Sequence, residues 1–228
     1  MEAVKIFPVG DAPAIRFAVR ALAQKGMTLC ASLSDATHVL LPIPTKEADW
    51  SAFPEYVTVI GGNLDHLPDK FRKIDLLKEE QYLAENAHVT ADCALRLLGD
   101  RLPVAFRGCP ILIIGWGRIG KCLAAMLKAL DAHVTVAARK ASDLGMITAL
   151  GYEAIEIARI VPEKYRAILN TAPAPVLEYG GDCVKIDLAS RLGLTGDDVL
   201  WARGLPGKML PETSGALIAQ GILRHLEG

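Results

Sequence analysis

Residues 110–120 read Pro110-Ile111-Leu112-Ile113-Ile114-Gly115-Trp116-Gly117-Arg118-Ile119-Gly120, and this stretch decides the fold. Four branched aliphatics in a row fit a strand buried on both faces, as in a parallel sheet. Three glycines follow with the spacing G-x-G-x-x-G. Beyond them Ile119, Cys122, Leu123, Met126, Leu127 and Leu130 recur at helical spacing. A second apolar run, 133–137, arrives where a βαβ unit of about 30 residues needs its next strand. In such a unit Gly115 permits the tight turn, Gly117 admits a pyrophosphate close to the backbone, and Gly120 lets helix and strand approach. The helix N-terminus then offers N–H groups and the positive end of its dipole to the anion. By itself G-x-G-x-x-G is unspecific, and the same glycines could merely turn the chain. The strand before and the helix after carry the dinucleotide reading, with Gly115, Trp116, Gly117, Arg118, Ile119 and Gly120 as the phosphate loop.

Outward from this unit, strands are predicted at 111–114, 134–137, 167–169, 184–188 and 199–202, with helices at 118–130, 144–150 and 213–226. Upstream, apolar runs at 4–9, 27–31, 38–41 and 56–60 alternate with a helical pattern through Ile15, Ala18, Val19 and Leu22. That alternation predicts a parallel sheet with helices on its faces. The charged segment 69–80 is predicted as a surface element leading out of the first unit. A helix over 90–98 would be capped by Thr90, favoured by Asp92 in its first turn and ended by Gly99. The fold class is therefore α/β: a doubly wound, Rossmann-type parallel sheet over 101–228, preceded by a smaller α/β domain over 1–86 and a connector helix over 87–100. The last helix, about 213–226, shows an apolar face of Leu217, Ile218, Ile222 and Leu226 and is expected to pack back toward the first domain.

Composition narrows the function. The chain has 228 residues, 51% hydrophobic and 22% charged, enough to bury a core without disulfides. Lys and Arg total 25 against 26 Asp and Glu, a balance that argues against a general nucleic-acid binder. Mean hydropathy is +0.28, yet no stretch approaches the ~20 apolar residues of a membrane span. The richest region, 110–130, is broken by Arg118, Lys121 and Lys128. The opening Met1-Glu2-Ala3-Val4-Lys5 lacks the basic start and apolar run of a signal peptide, so a soluble, cytoplasmic chain is expected. Five cysteines without a C-x-x-C pair suggest a reducing compartment, and five histidines show no metal-ligand spacing, so no metal is expected. Neither a G-x-S-x-G turn nor a P-loop lysine motif occurs, which sets hydrolase and nucleotide triphosphatase readings aside.

The end of the second strand speaks to the cofactor. A site for NAD usually places Asp or Glu about 20 residues on from the loop. Here the chain reads Val136-Ala137-Ala138-Arg139-Lys140-Ala141-Ser142, with no carboxylate before Asp143. Arg139 can pair with a 2′-phosphate bidentately, with Lys140 and Ser142 beside it, which favours NADP over NAD. The alternative is that these are ordinary solvated turn charges. Loops at 170–175, 187–191 and 204–211 leave strand ends, where a doubly wound sheet binds its ligands. Asn170, Thr171, Ala172 and Pro173, with Asp187 and Leu188, are the candidates for the nicotinamide side, although Asn170 to Pro173 also read as a capped proline turn. Reduction of a carbonyl or imine needs a proton donor and a cation for the substrate carboxylate. Arg191 and Lys208 are candidate clamps, and Asp187 or Asp92 a candidate acid/base. Each reads equally well as a solvated charge or helix-end partner, and no histidine lies between His133 and His225.

Six segments in the same order resemble the A-subunit family of dipicolinate synthase: 115–120, Ala137-Ala138-Arg139, Asn170-Thr171-Ala172-Pro173-Ala174, Ile186-Asp187-Leu188-Ala189-Ser190-Arg191, Gly204-Leu205-Pro206-Gly207 and Pro211-Glu212-Thr213-Ser214-Gly215. The last is similar to the Pro-x-Thr-Ala-Gly that begins the family's final helix. Weaker similarity covers His38-Val39-Leu40-Leu41-Pro42 and 86–94, where Asp92 stands in place of the family's usual Glu. Broader relatives are the D-2-hydroxyacid dehydrogenases and S-adenosylhomocysteine hydrolases. The resemblance implies a cofactor domain after a smaller domain, with the active site in the cleft between them. It also implies NADP-linked redox chemistry on a small dihydrodipicolinate-like dicarboxylate, with a separate flavoprotein partner subunit, in sporulation. A homo-oligomer stays open. The chain departs from the family in its shorter first domain, in Pro13 where a basic residue is expected, and in Lys208. It also lacks the late histidine of the hydroxyacid dehydrogenases. These departures motivate the alternative of a non-catalytic dinucleotide-binding sensor or accessory subunit.

Overall fold

The computed structural model describes residues 4–46 and 50–227 and divides into two units, Met1–Val89 with Pro206–Gly228, and Thr90–Leu205. Unit one contains β1 (Lys5–Pro8), α1 (Pro13–Gln24), β2 (Thr28–Leu29), β3 (His38–Leu40), β4 (Thr58–Gly61), β5 (Arg72–Asp75) and the start of α2 (Glu80–Arg101). Unit two contains the rest of α2, then β6 (Pro110–Ile114), α3 (Arg118–Ala129), β7 (His133–Ala138), α4 (Ala141–Ala149), β8 (Glu153–Glu156), β9 (Ala167–Asn170), β10 (Leu177–Glu178), β11 (Val184–Asp187), β12 (Leu194–Thr195) and β13 (Val199–Trp201). The chain then passes through α5 (Leu205–Met209) and returns to unit one as α6 (Pro211–Glu227).

The sheet of unit one runs β2-β1-β3-β4-β5, all parallel. Side-chain alternation along a strand splits its core in two. Ile6, Leu40, Ile60 and Ile74 meet Ile15, Ala18 and Leu22 of α1 and Ile218, Ala219 and Ile222 of α6. Val39, Leu41 and Val59 face the other way, onto Phe53, Val57, Leu67 and Phe71. Helix α1 starts at Pro13, whose missing N–H costs nothing at a first helical position. It meets α6 backbone to backbone at Gly215, where a Cβ would lie 2.5 Å from the Phe17 Cβ and 2.6 Å from the Ala14 carbonyl oxygen.

The main sheet of unit two runs β13-β11-β9-β6-β7-β8, again all parallel. Numbered within the unit, this is the 3-2-1-4-5-6 order of the dinucleotide-binding doubly wound fold. Strand β6 lies at its centre, with Ile111 to Ile114 fully buried. The short strands β10 and β12 pair separately. Among the described residues no α-helix directly follows β8, β9 or β11; the connections are short 3-10 turns and loops.

Three expectations need correction. The charged segment 69–80 is not merely a surface exit, because it contains β5 at the edge of the first sheet. Arg72 and Lys73 mask the strand pattern while Ile74 is buried, and charges of this kind are what an exposed sheet edge tolerates. The connector helix begins at Glu80 rather than in the high eighties and passes through Gly99 to Arg101. Tyr82, Ala87 and Val89 are buried ahead of Thr90, so Thr90 is a mid-helix residue and not a cap. Burial of Leu98 and Leu102 on either side of Gly99 outweighs the ~1 kcal/mol that glycine costs a helix. Strand β8 stands where the sequence pattern predicts none. Among the described residues no helix is long and apolar enough to cross a membrane, and no His, Cys, Asp or Glu cluster could hold a metal.

Candidate functional site

The glycine loop links the end of β6 to the start of α3. Gly115 has φ +103°, a left-handed conformation that glycine adopts freely, and a Cβ there would lie 2.6 Å from the Thr171 hydroxyl oxygen. At Gly120 a Cβ would lie 2.2 Å from the Gly115 carbonyl oxygen. The first and third glycines are therefore locked by the protein itself. Gly117 differs: its conformation suits any residue, and nothing lies within 4 Å of the position its Cβ would take. It is the N-cap of α3 and makes no side-chain cap, so the first-turn N–H groups lack intrahelical acceptors. Open space above Gly117, beside a helix N-terminus, fits a pyrophosphate. Trp116 turns inward onto Tyr152, with ring centroids 5.8 Å apart, and its buried indole N–H has no partner. Arg118 and Ile119 open the helix.

Arg139 is exposed at the end of β7, followed by Lys140 and by Ser142 in the first turn of α4. A recess of about 460 Å³ lies here, lined by Arg139, Ala141, Leu144, Glu156, Ile157 and Val176, among others. It lies at the carboxyl ends of β7 and β8, where a doubly wound sheet holds an adenosine. The carboxylate on its lining, Glu156, comes from β8 and pairs with Arg159 at 3.7 Å; β7 itself ends without one.

Thr171 donates to the carbonyl oxygen of Ile114 at 3.0 Å and so ties the loop after β9 to the phosphate loop. Asn170 is fully buried: its amide donates to Ala172 O and to Asp187, and its carbonyl accepts from Ala172 N. Pro173 is exposed in that loop, and Leu188 donates its N–H to Asn170 O. Asp187 is also fully buried. One carboxylate oxygen accepts from Asn170 Nδ2 (2.9 Å), Gly193 N (2.7 Å) and Leu194 N (2.8 Å), and the other from Ala189 N (2.9 Å). With four donors and no solvent-facing surface, Asp187 ties the end of β9 to the loop after β11 and has no exposed oxygen to offer a substrate. Its reading as an acid/base is corrected to that of a positioning residue. Asp92 sits mid-helix, half-exposed, in a two-pronged surface pair with Arg96, both contacts 3.2 Å. Arg191 is exposed in the loop after β11, whereas Lys208 lies on α5 in unit one.

Sequence reading does not single out Gly193. A Cβ there would lie 2.4 Å from Ala174 O and 2.6 Å from Asn170 Nδ2, so only glycine fits beside the Asn170–Asp187 pair. Nothing in the sequence around it marks that contact, because both neighbours come from another segment, the end of β9 and its following loop. The thiols of Cys93, Cys109, Cys122 and Cys183 are pushed up by burial, which suits inert side chains rather than nucleophiles.

Sheet order and glycine loop together define a doubly wound α/β protein whose loop leaves open space at the N-terminus of α3. No family model matches the chain. The dipicolinate synthase A-subunit of Bacillus subtilis is 28% identical over 174 residues, covering 69% of this chain and 58% of that protein, so the match spans little more than half of the relative's length. The crystal structure of the dipicolinate synthase A-subunit from Bacillus halodurans superposes with a TM-score of 0.81 at 21% identity, covering 99% of this chain and 98% of that one. Its counterpart from Bacillus subtilis gives 0.81 at 20%, covering 100% and 97%. A transhydrogenase from Sinorhizobium meliloti is more distant, at 0.72 and 11%, covering 98% and 92%. The resemblance carried by the six segments is thus borne out in sequence and in fold.

Proposed function

We propose that this chain is a nicotinamide-dinucleotide oxidoreductase, preferring NADP to NAD, that acts on a small dihydrodipicolinate-like dicarboxylate together with a flavoprotein partner subunit. The observation that carries it is the asymmetry of the loop: Gly115 and Gly120 are closed off by protein atoms, and Gly117 alone faces open space. Thr171 and Asn170 fix the loops around it, and Arg139 supports the preference for a 2′-phosphate. When bound, the dinucleotide supplies or accepts hydride at its nicotinamide. Arg191, exposed beyond β11, is the residue proposed to hold a substrate carboxylate. A second reading, dinucleotide binding without chemistry, is favoured by the structural engagement of the buried Asp187, whose carboxylate is spent on four protein donors.

The test is spectrophotometric. Purified chain, with and without a flavoprotein partner, is assayed for NADPH oxidation or NADP reduction across dicarboxylate imines and their reduced forms. Turnover that collapses in Arg191→Ala supports the enzyme. Tight NADPH binding with no turnover on any substrate supports the accessory reading.

A further inference from the structure

The opposite end of the main sheet in unit two carries a second recess, of about 480 Å³. Its lining comes from Arg166 just before β9, the 180–185 segment entering β11, Asp198 just before β13, and Arg101 at the end of α2. All these strands are parallel, so the recess lies at their amino ends, away from the glycine loop. Lys185 is only 4% exposed. Its Nζ donates to Gly181 O at 2.6 Å and lies 5.4 Å from the Tyr179 ring centroid. An ammonium has three donors, so a single carbonyl leaves this one under-used, and a charge so buried calls for a partner. Arg101 donates only to Leu97 O, and among the described residues neither Arg101 nor Arg166 has a carboxylate within ion-pair distance. The wall is held in place: a Cβ on Gly181 would lie 2.2 Å from the Tyr179 hydroxyl. Two carboxylates, Asp182 and Asp198, complete the lining.

We propose that this recess binds a small hydroxylated phosphomonoester, with Arg101, Arg166 and Lys185 on the phosphate and Asp182 and Asp198 accepting from hydroxyls. Guanidinium forks match phosphate oxygens two at a time, and the volume is that of a small-molecule site. Carboxylates on the same lining disfavour a bare anion and favour a ligand that also donates.

Backbone-amide NMR on the full chain tests it, titrating glycerol 3-phosphate at constant ionic strength with inorganic phosphate and glycerol in parallel. The amides of Gly180, Gly181, Cys183 and Lys185 should shift saturably, with glycerol 3-phosphate tighter than inorganic phosphate. Arg166 is exposed, so Arg166→Gln leaves the core intact; it should weaken binding about tenfold without changing NADPH affinity. Shifts confined to 115–120, or shifts at 180–185 that Arg166→Gln does not weaken, would overturn the site. Equal affinity for inorganic phosphate would overturn the assigned roles of Asp182 and Asp198.

Discussion

Substituting Asp187 by Asn separates a framework role from a chemical one. The amide keeps the shape of the carboxylate but must place its NH2 where one oxygen stood. At the oxygen that now accepts from Asn170, Gly193 and Leu194, it would meet three donors; at the other it meets only Ala189 N. The second placement is cheaper. It loses one hydrogen bond to a charged acceptor, ~1.5–3 kcal/mol, and leaves buried N–H groups facing each other, ~1–3 kcal/mol. A loss of about 3 kcal/mol follows, which lowers the melting temperature by roughly 6–12 °C in a chain of this size. Asp187→Ala strands all four donors and should be worse. Urea unfolding followed by tryptophan fluorescence is a suitable assay, because the Trp201 indole donates to Ala189 O at 3.0 Å, within the same loop cluster. Stability within about 0.5 kcal/mol of the parent, together with collapsed turnover, would refute the framework account and restore Asp187 to the chemistry.

Gly117→Val should abolish dinucleotide binding while costing only about 1 kcal/mol, the loss of a favoured N-cap residue, whereas Gly120→Ala should destabilise by about 1–3 kcal/mol because its methyl has no room and leave the Gly117 position open; calorimetry and melting on both variants decide this. Arg139→Asp should reverse the NADPH-over-NADH preference, which in the parent should be roughly tenfold to a hundredfold and should weaken at higher salt. Equal parent affinities would leave Arg139 a plain turn residue. Burial, and secondarily Arg72, hold the His38 ring below its usual pKa of 6.5 in the folded state. The unfolded chain therefore binds the proton first, so stability falls as pH drops through about 6.5, and His38→Gln should flatten that slope in pH-dependent unfolding.

How much of this is legible in sequence depends on whether the determining contacts are local. The loop, β6, α3 and β7 are set by neighbours within one βαβ unit, and the run from Pro110 to Ala138 announces them. Strand β8 has charged, exposed Glu153 and Glu156 at its ends and no alternating pattern, since it is an edge strand recognised only by β7 beside it. Strand β5 is hidden for the same reason. The roles of Asp187 and Gly193 depend on two loops, after β9 and after β11, meeting in space. A carboxylate at a strand end looks like chemistry until its donors are seen.

Unit one is built from two separate stretches of the chain, with α1 and α6 sharing one core. On the ribosome this imposes an order of events. All of Thr90–Leu205 is synthesised between the two helices, on the order of ten seconds of elongation. Unit two is contiguous and can complete its sheet during that interval. Helix α1 meanwhile waits with the surface that will contact Ile218 and Ile222 uncovered, a target for chaperones and proteases. A nascent chain stalled between Leu205 and Pro211 would carry one finished unit and one open one, so quality control of this protein is a test applied to helix α6.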